Sequence, residues 1–387
     1  MIIGLFSFFL TAAAQPPASF LPLPRCESET AEVIAPCTVR THLSRAAIDR
    51  LLQGREQVRW LSGDRLTLVA RFGPERWGLL CCALQTPLEP IGDSGMGAIT
   101  VRIPRVDEAL LDAGMIASET AYPVERVPTP SAPMPPPRAT TLRGTITRHV
   151  IRSSNLGQAR EIQVYVPAAV PPGARLPVIF LTDGETERFA GLLEGAARGS
   201  GAAGAILVGI APASGTLPGC KGMCDRRALE YLMSAGDDQS APDSLFNRHL
   251  RFVADEVVPL VIGHYPASSK SADHIAAGYS NGGAWAVSAA ELRPDVFGGV
   301  VAMSVAGGPW PAQHASSLKG MRVYAGAGTF ERFFLPRTRE VAASAQAAGA
   351  EVKMDEIVSG HSSLLWDALF AHGLPWVLAW STTPQPR

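Results

Sequence analysis

Gly278-Tyr279-Ser280-Asn281-Gly282-Gly283 decides the reading of this chain. It ends the run His274 to Tyr279, which has the composition of a buried strand, and leads into a helical pattern from near Gly282 to Leu292. The segment fits Gly-x-Ser-x-Gly, a sharp strand-to-helix turn that exposes a serine hydroxyl. A residue on such a turn holds strained backbone, so its neighbours must be small enough for strand and helix to approach each other. The same turn aims the Asn281 backbone N–H, at a helix N-terminus, toward an oxyanion developing beside Ser280.

Working outward, strand-like and helix-like segments alternate. Strands are expected at Glu161 to Val166, Pro177 to Thr182, Ala205 to Ile210, His274 to Tyr279, Gly299 to Ser304, Arg322 to Ala325 and Val352 to Val358. Helical patterns occupy Arg188 to Arg198, Arg248 to Gly263, Gly282 to Leu292 and Thr338 to Ala348. Later strands that are nearly continuous in apolar residues imply a mostly parallel sheet covered on both faces. With the serine turn, this predicts an α/β-hydrolase fold over residues 143–387. Functional residues should then lie just past the carboxyl ends of strands.

A serine hydroxyl is nearly inert until a base takes its proton, and in this fold the order is Ser, acid, His. Of His314, His361 and His372, only His361 directly follows a strand, in Ser359-Gly360-His361. The acid that orients the imidazole is read as Glu331, in Gly328-Thr329-Phe330-Glu331 after the strand that reaches Ala325. Asp295 precedes a strand, whereas Asp355 and Glu356 lie inside one and are the alternatives should the register differ. A second oxyanion donor is expected from the N–H of Asp183 or Gly184, in Thr182-Asp183-Gly184-Glu185 after an earlier strand; a plain glycine turn is the other reading. Acyl transfer by such a set needs no metal or organic cofactor.

Before this region, Pro-Thr-Pro-Ser-Ala-Pro-Met-Pro-Pro-Pro marks an interdomain linker at 123–142. Residues 24–122 carry short strands at Arg65 to Arg71, Trp77 to Leu84 and Ala98 to Ile103, and a small β-sandwich domain is expected there. Gly92-Asp93-Ser94-Gly95-Met96-Gly97 has the look of a trypsin-like nucleophile segment, but the domain is too small for two barrels, so a glycine-rich turn is the reading. The first 14 residues, an apolar run from Ile2 to Leu10 and then small residues, read as a signal peptide that lacks a Lys or Arg at its start. A periplasmic or secreted protein is therefore expected, and no later run is long enough for a stable membrane span. Six cysteines suit an oxidising compartment, with Cys220 and Cys224 the favoured pair; six reduced thiols are the alternative. A net charge of -1 gives no bulk attraction to nucleic acid, and the 47% hydrophobic share supports sizeable cores.

From Thr145 to about Trp380 the chain resembles the esterase family that contains enterochelin (enterobactin) esterases, with feruloyl and acetyl esterases more distant. The likeness is carried by Leu181-Thr182-Asp183-Gly184, Arg227-Ala228-Leu229-Glu230-Tyr231, Glu256-Val257-Val258-Pro259, the serine turn, Gly328-Thr329-Phe330-Glu331, and Gly360-His361 followed by Trp366. It implies a triad of Ser280, His361 and Glu331, and substrate contacts from Arg227, Tyr231 and Trp366; an Arg227/Glu230 pair bracing a loop is the competing reading of that segment. Leu80 to Leu88 is similar to the β-sandwich that precedes the catalytic domain in ferric enterobactin esterases. The resemblance implies hydrolysis of a small-molecule ester, a catecholate siderophore lactone whose iron arrives with the substrate. Alternatives are a carbohydrate feruloyl or acetyl esterase, an acyltransferase, or a non-catalytic siderophore- or glycan-binding protein. Many members are cytoplasmic, which is the alternative to export.

Overall fold

The computed structural model describes residues 23–71, 76–81, 84–117, 125–200, 204–220, 224–233, 235, 243–307 and 317–379. The expected signal segment, Cys82 and His314 lie outside the described residues. Two compact units divide the chain, one running to Pro104 and including Ala113–Glu125, the other comprising Arg105–Asp112 and the chain from Arg126 onward.

In the first unit, alternating and β-branched runs form antiparallel ladders. Its elements are β1 (Cys37–Val39), α1 (Arg45–Leu52), β2 (Gln57–Ser62), β3 (Arg65–Arg71), β4 (Arg76–Cys81), β5 (Leu84–Thr86), β6 (Glu89–Pro90), β7 (Met96–Arg102), β8 (Leu111–Ala117) and β9 (Glu125–Val127), the last two reaching across the unit boundary. One sheet runs β1-β7-β3-β2 with β6 also on β7, and the other runs β5-β4-β8-β9. Ser44 caps α1 by accepting from the Ala47 N–H, and Ile48 and Leu52 pack against Val69, Met96 and Ala98. Gly92-Asp93-Ser94-Gly95 is the turn between β6 and β7, with positive φ at both glycines. A Cys26–Cys37 disulfide closes its start.

The second unit continues with β10 (Thr145–Ser153), β11 (Gln158–Val166), β12 (Val178–Thr182), α2 (Thr186–Ser200), β13 (Ile206–Ile210), α3 (Arg226–Tyr231) and α4 (Leu245–Arg251). A π-helical turn at Phe252–Val257 joins α4 to α5 (Val258–His264). Then come β14 (His274–Tyr279), α6 (Asn281–Leu292), β15 (Gly299–Met303), β16 (Arg322–Gly328), α7 (Phe334–Ala347), β17 (Glu351–Ile357) and α8 (Ser363–Leu378). The sheet order is β10-β11-β13-β12-β14-β15-β16-β17, antiparallel at its β10/β11 and β11/β13 pairings and parallel from β13 onward. This is the α/β-hydrolase arrangement. Strand β10, on an outer edge, breaks its apolar residues with Thr147, Arg148, His149 and Arg152, which is why no apolar run announced it.

Period-two alternation sorts each strand's residues between two cores. Along β12, Val178 and Phe180 join Trp285, Phe246, Phe252 and Phe297 on one face. Ile179 and Leu181 join Phe189, Leu365, Leu369 and Phe370 on the other. Each such side chain contributes roughly 1.5 to 3 kcal/mol on burial, which holds helices α3 to α7 on one face and α2 with α8 on the other. Among the described residues no helix is long and apolar enough to cross a membrane.

Buried polar groups tie α3 to the carboxyl ends of the strands. Arg160 on β11 meets Glu230 on α3 through two hydrogen bonds of 2.9 and 2.7 Å, and Ala213 N–H adds a third donor to that carboxylate. Burial pushes Glu230 upward, but Arg160, the nearby His249 and the Ala213 N–H together hold it below the ordinary carboxylate range.

His249 on α4 is fully buried, with ring neighbours Tyr231 at 5.4 Å and Trp285 at 5.5 Å. Neither of its nitrogens has a hydrogen-bond partner among the described residues. Burial presses its pKa down to about 4, with the Glu230 charge opposing. The unfolded chain, whose His titrates near 6.5, binds the proton first as pH falls. Stability carried by neutral His249 is therefore complete above about pH 6.5 and lost progressively toward pH 4, by up to about 3 kcal/mol. Urea unfolding at pH 7 and 4.5 should show a smaller drop in His249→Phe than in the unsubstituted protein; equal drops would refute this origin of the acid lability.

Candidate active site

Strand β14 ends at Tyr279 and α6 starts at Asn281, so one residue makes the turn. Ser280 sits at φ 56° and ψ -124°, in a region that costs a residue with a Cβ about 1 to 3 kcal/mol. It is held there by three backbone bonds: Ser280 N–H to Met303 O, and Ala306 and Ala284 N–H to Ser280 O, at 2.9, 3.1 and 3.2 Å. A Cβ at Gly278 would fall 2.5 Å from the Gly282 carbonyl, and one at Gly282 would fall 2.0 Å from Thr182 Oγ1. Asn281, as the first residue of α6, carries an N–H that the helix itself leaves unpaired.

Neighbouring strands bring up the partners. Past β16, Glu331 sits in a turn before α7; past β17, His361 lies in the loop leading to α8. His361 Nε2 is 3.1 Å from Ser280 Oγ, and His361 Nδ1 is 2.5 Å from Glu331 Oε1. The other carboxylate oxygen, Glu331 Oε2, accepts from Ser304 Oγ at 2.9 Å and from Gly328 N–H at 2.6 Å. Trp366 Nε1–H donates to Ser304 Oγ at 3.0 Å, completing a run of bonds from Trp366 through Ser304, Glu331 and His361 to Ser280. Phe334 stacks on the His361 ring at 3.9 Å, Trp366 meets its edge at 4.9 Å, and Tyr279 stacks on Trp366 at 3.9 Å. Burial, with the charges of Asp183 and Glu185, raises the Tyr279 phenol, whose hydroxyl donates to Glu185.

Ser304 was not singled out from sequence. It is fully buried at φ 49°, a second strained residue at the carboxyl end of a strand, and its N–H donates to Gly326 O at 2.7 Å. A serine directly following β15 was the only legible sign. The other acids are engaged elsewhere: Asp355 accepts from Tyr324 Oη and faces His372, Glu356 meets Arg339, and Asp295 meets Arg293.

The oxyanion side differs from expectation in detail. Asp183 and Gly184 both have positive φ, 67° and 70°. Asp183 N–H already donates to Tyr231 Oη at 3.0 Å, leaving the Gly184 N–H as the candidate donor of the two. Tyr231, expected to contact substrate, is fully buried, and its hydroxyl also donates to Ile210 O at 3.3 Å; it braces the Asp183 turn from behind. Burial and the Asp183 charge hold its phenol well above the ordinary range, so it stays a neutral donor. The Arg227/Glu230 pairing is replaced by two others, because Glu230 is taken by Arg160 while Arg227 grips Asp183 at 2.5 and 2.9 Å. Trp366 is half-buried beside His361.

A family model described as Putative esterase matches residues 153–377. No curated protein matches the chain. Among solved structures it is similar to the enterochelin esterase of Shigella flexneri, with TM-score 0.65, 16% identity, and 87% of this chain and 98% of that one covered. The Shigella flexneri enterobactin esterase in the presence of enterobactin gives 0.65 and 16%, covering 84% and 97%. The ferric enterobactin esterase of Salmonella typhimurium gives 0.61 and 15%, covering 86% and 99%. At such identities the likeness is one of fold.

The strain at Ser280 generates a stability prediction. Ser280→Gly relieves a positive φ that Ser280→Ala retains, and both lose the bond to His361. After the glycine entropy cost, Ser280→Gly should exceed Ser280→Ala by about 1 kcal/mol in urea unfolding. Equal stabilities would mean that the turn stores no strain.

Proposed function

The chain belongs to the Putative esterase family, and from that premise we propose that it is a serine hydrolase cleaving carboxylic esters of catecholate siderophores. The observation that carries the mechanism is the imidazole of His361 placed between Ser280 Oγ at 3.1 Å and Glu331 Oε1 at 2.5 Å. Ser280 Oγ attacks the ester carbonyl while His361 Nε2 takes its proton, and the negative charge moves to the carbonyl oxygen. Asn281 and Gly184 N–H groups meet that oxyanion. Collapse of the intermediate expels the alcohol, which receives the proton from His361. Water then attacks the acyl-serine with His361 again as base, releasing the acid and restoring Ser280. Glu331 keeps the imidazole in the tautomer with Nδ1–H and steadies the imidazolium, while Ser304 and Gly328 hold the carboxylate itself.

Two observations support the substrate class. The solved relatives named for enterobactin share their fold with this chain across 84% or more of its length. Beside His361, Phe334, Trp366 and Tyr279 pack into an aromatic cluster, a setting that suits a substrate carrying a catechol ring. Arg227 holds Asp183, so its part is to steady the oxyanion turn as well as to lend charge at the approach. The same aromatic cluster would also suit a feruloyl ester, which makes that class the rival to test. Disulfides Cys26–Cys37 and Cys220–Cys224 are compatible with an oxidising compartment, and with the apolar first segment they support action in the periplasm or outside the cell.

Two measurements test the reading. With a p-nitrophenyl ester, Ser280→Ala and His361→Ala should each lower kcat by about 10⁴-fold or more. Glu331→Gln should lower kcat by a similar order, about 10³- to 10⁴-fold, with little change in KM. Near-normal kcat in any of the three would remove that residue from the mechanism.

For the substrate, kcat/KM is compared across a tricatecholate trilactone, with and without iron, and feruloylated and acetylated sugars. The trilactone should lead by about tenfold or more, a difference of roughly 1.4 kcal/mol in transition-state binding. A lead for the sugar esters would replace the siderophore reading and leave the serine mechanism standing.

A further inference from the structure

The stretch Arg105–Asp112 lies outside the family match, yet it groups with the second compact unit while the chain on either side of it groups with the first. Ala109, Leu110 and Leu111 are fully buried. Leu110 shares an apolar cluster with Ile357, Leu364 and Leu365, the residues that bracket the His361 loop in sequence. Leu110 N–H donates to Val358 O at 2.8 Å, and the Ser359 hydroxyl donates to Leu110 O at 2.8 Å. The stretch is itself anchored, since Thr129 Oγ1 donates to Ala109 O and Ser131 N–H to Asp107 O, both at 2.7 Å.

Ser359 is fully buried and touches two loops at once. Its hydroxyl holds Leu110, and its carbonyl accepts the N–H of Phe330, the residue before Glu331, at 2.9 Å. Thr329 N–H donates to Ile357 O at 2.8 Å, so the loops carrying Glu331 and His361 are stitched together at this point. Strand β17 is the last of its sheet, and an edge strand leaves one row of backbone groups to be satisfied by something other than a neighbouring strand. At the end of that edge, where the chain turns toward His361, Leu110 supplies the partner.

We propose that residues 105–112 clamp the His361 loop and that Ser359 is a positioning residue, its bond to Leu110 setting the distance of His361 from Glu331 and Ser280. The inference rests on the reading of His361 as general base. A stretch from the N-terminal part of the chain thereby belongs to the catalytic machinery, acting through the base and never touching substrate. Misplacing a reacting group by about 1 Å can cost up to about 100-fold in rate.

The test uses the full chain and p-nitrophenyl acetate. Ser359→Ala should lower kcat by about 10- to 100-fold with KM held within about twofold, and Ser359→Cys, which keeps a weak donor of similar size, should recover part of the loss. Val377→Ala, in the same apolar cluster but on α8, should lower the urea midpoint and leave kcat unchanged, which separates positioning from stability. Unchanged kcat in Ser359→Ala, with Ser280→Ala inactive, would overturn the clamp and leave the esterase reading intact. Turnover that survives Ser280→Ala would overturn that reading and the clamp with it. Should Ser359→Ala not fold, amide exchange in the unsubstituted protein decides: Leu110 and Phe330 amides should be protected as well as those of β16, and rapid exchange at Leu110 would overturn the clamp.

Discussion

Ser280 fills the whole turn between β14 and α6 at φ 56°, a conformation that serine keeps only where its surroundings leave no alternative. Those surroundings explain much of the sheet around it. Thr182 at the end of β12 lies so close that Gly278 and Gly282 tolerate no side chain, and Met303 at the end of β15 receives the Ser280 N–H. The parallel register of β12, β14 and β15 is thus joined directly to the posture of one hydroxyl. Cores on both faces hold that register against the strain.

From β14 to β17, consecutive strands each deliver one member of the bonded set just past their carboxyl ends: Ser280, Ser304, Glu331 and His361. Strands lie about 4.8 Å apart, so residues from non-adjacent strands must reach across the intervening ones. Glu331 and His361 do so from loops, and the loops themselves need fixing. Backbone bonds from Thr329 and Phe330 to the end of β17 supply it on one side, and Leu110 does so on the other. The carboxylate of Glu331, buried with donors from His361, Ser304 and Gly328, has its polar needs met without water.

Charge inside this unit serves geometry first. Arg160 with Glu230 seats α3, and from α3 both Arg227 and Tyr231 reach the Asp183 turn. Breaking a buried pair leaves an uncompensated charge, commonly costing about 3 to 5 kcal/mol. The network therefore resists loosening at the Asp183–Gly184 turn. Aromatic rings, Phe334 by stacking and Trp366 edge-on, pack directly against His361.

The sequence alone was enough to determine the fold class and the strands that carry the site, because hydrophobic period and turn chemistry are local properties. The spans found for β3 and β14 coincide with those read from residue pattern, and the glycines around Ser280 announced their own crowding. Ser280, Glu331 and His361 were legible because each follows a strand in a loop with a recognisable composition. The tertiary structure decided which partner each polar group takes. Arg227 has Glu230 three residues away and Asp183 forty-four residues away, and only packing selects Asp183. Tyr231 turns inward, Ser304 adopts a positive φ, and Leu110 reaches Ser359 across 249 residues of sequence. Periodicity tells which face a residue occupies but not what the opposite face brings to meet it, and these contacts arise only when distant segments close on one another.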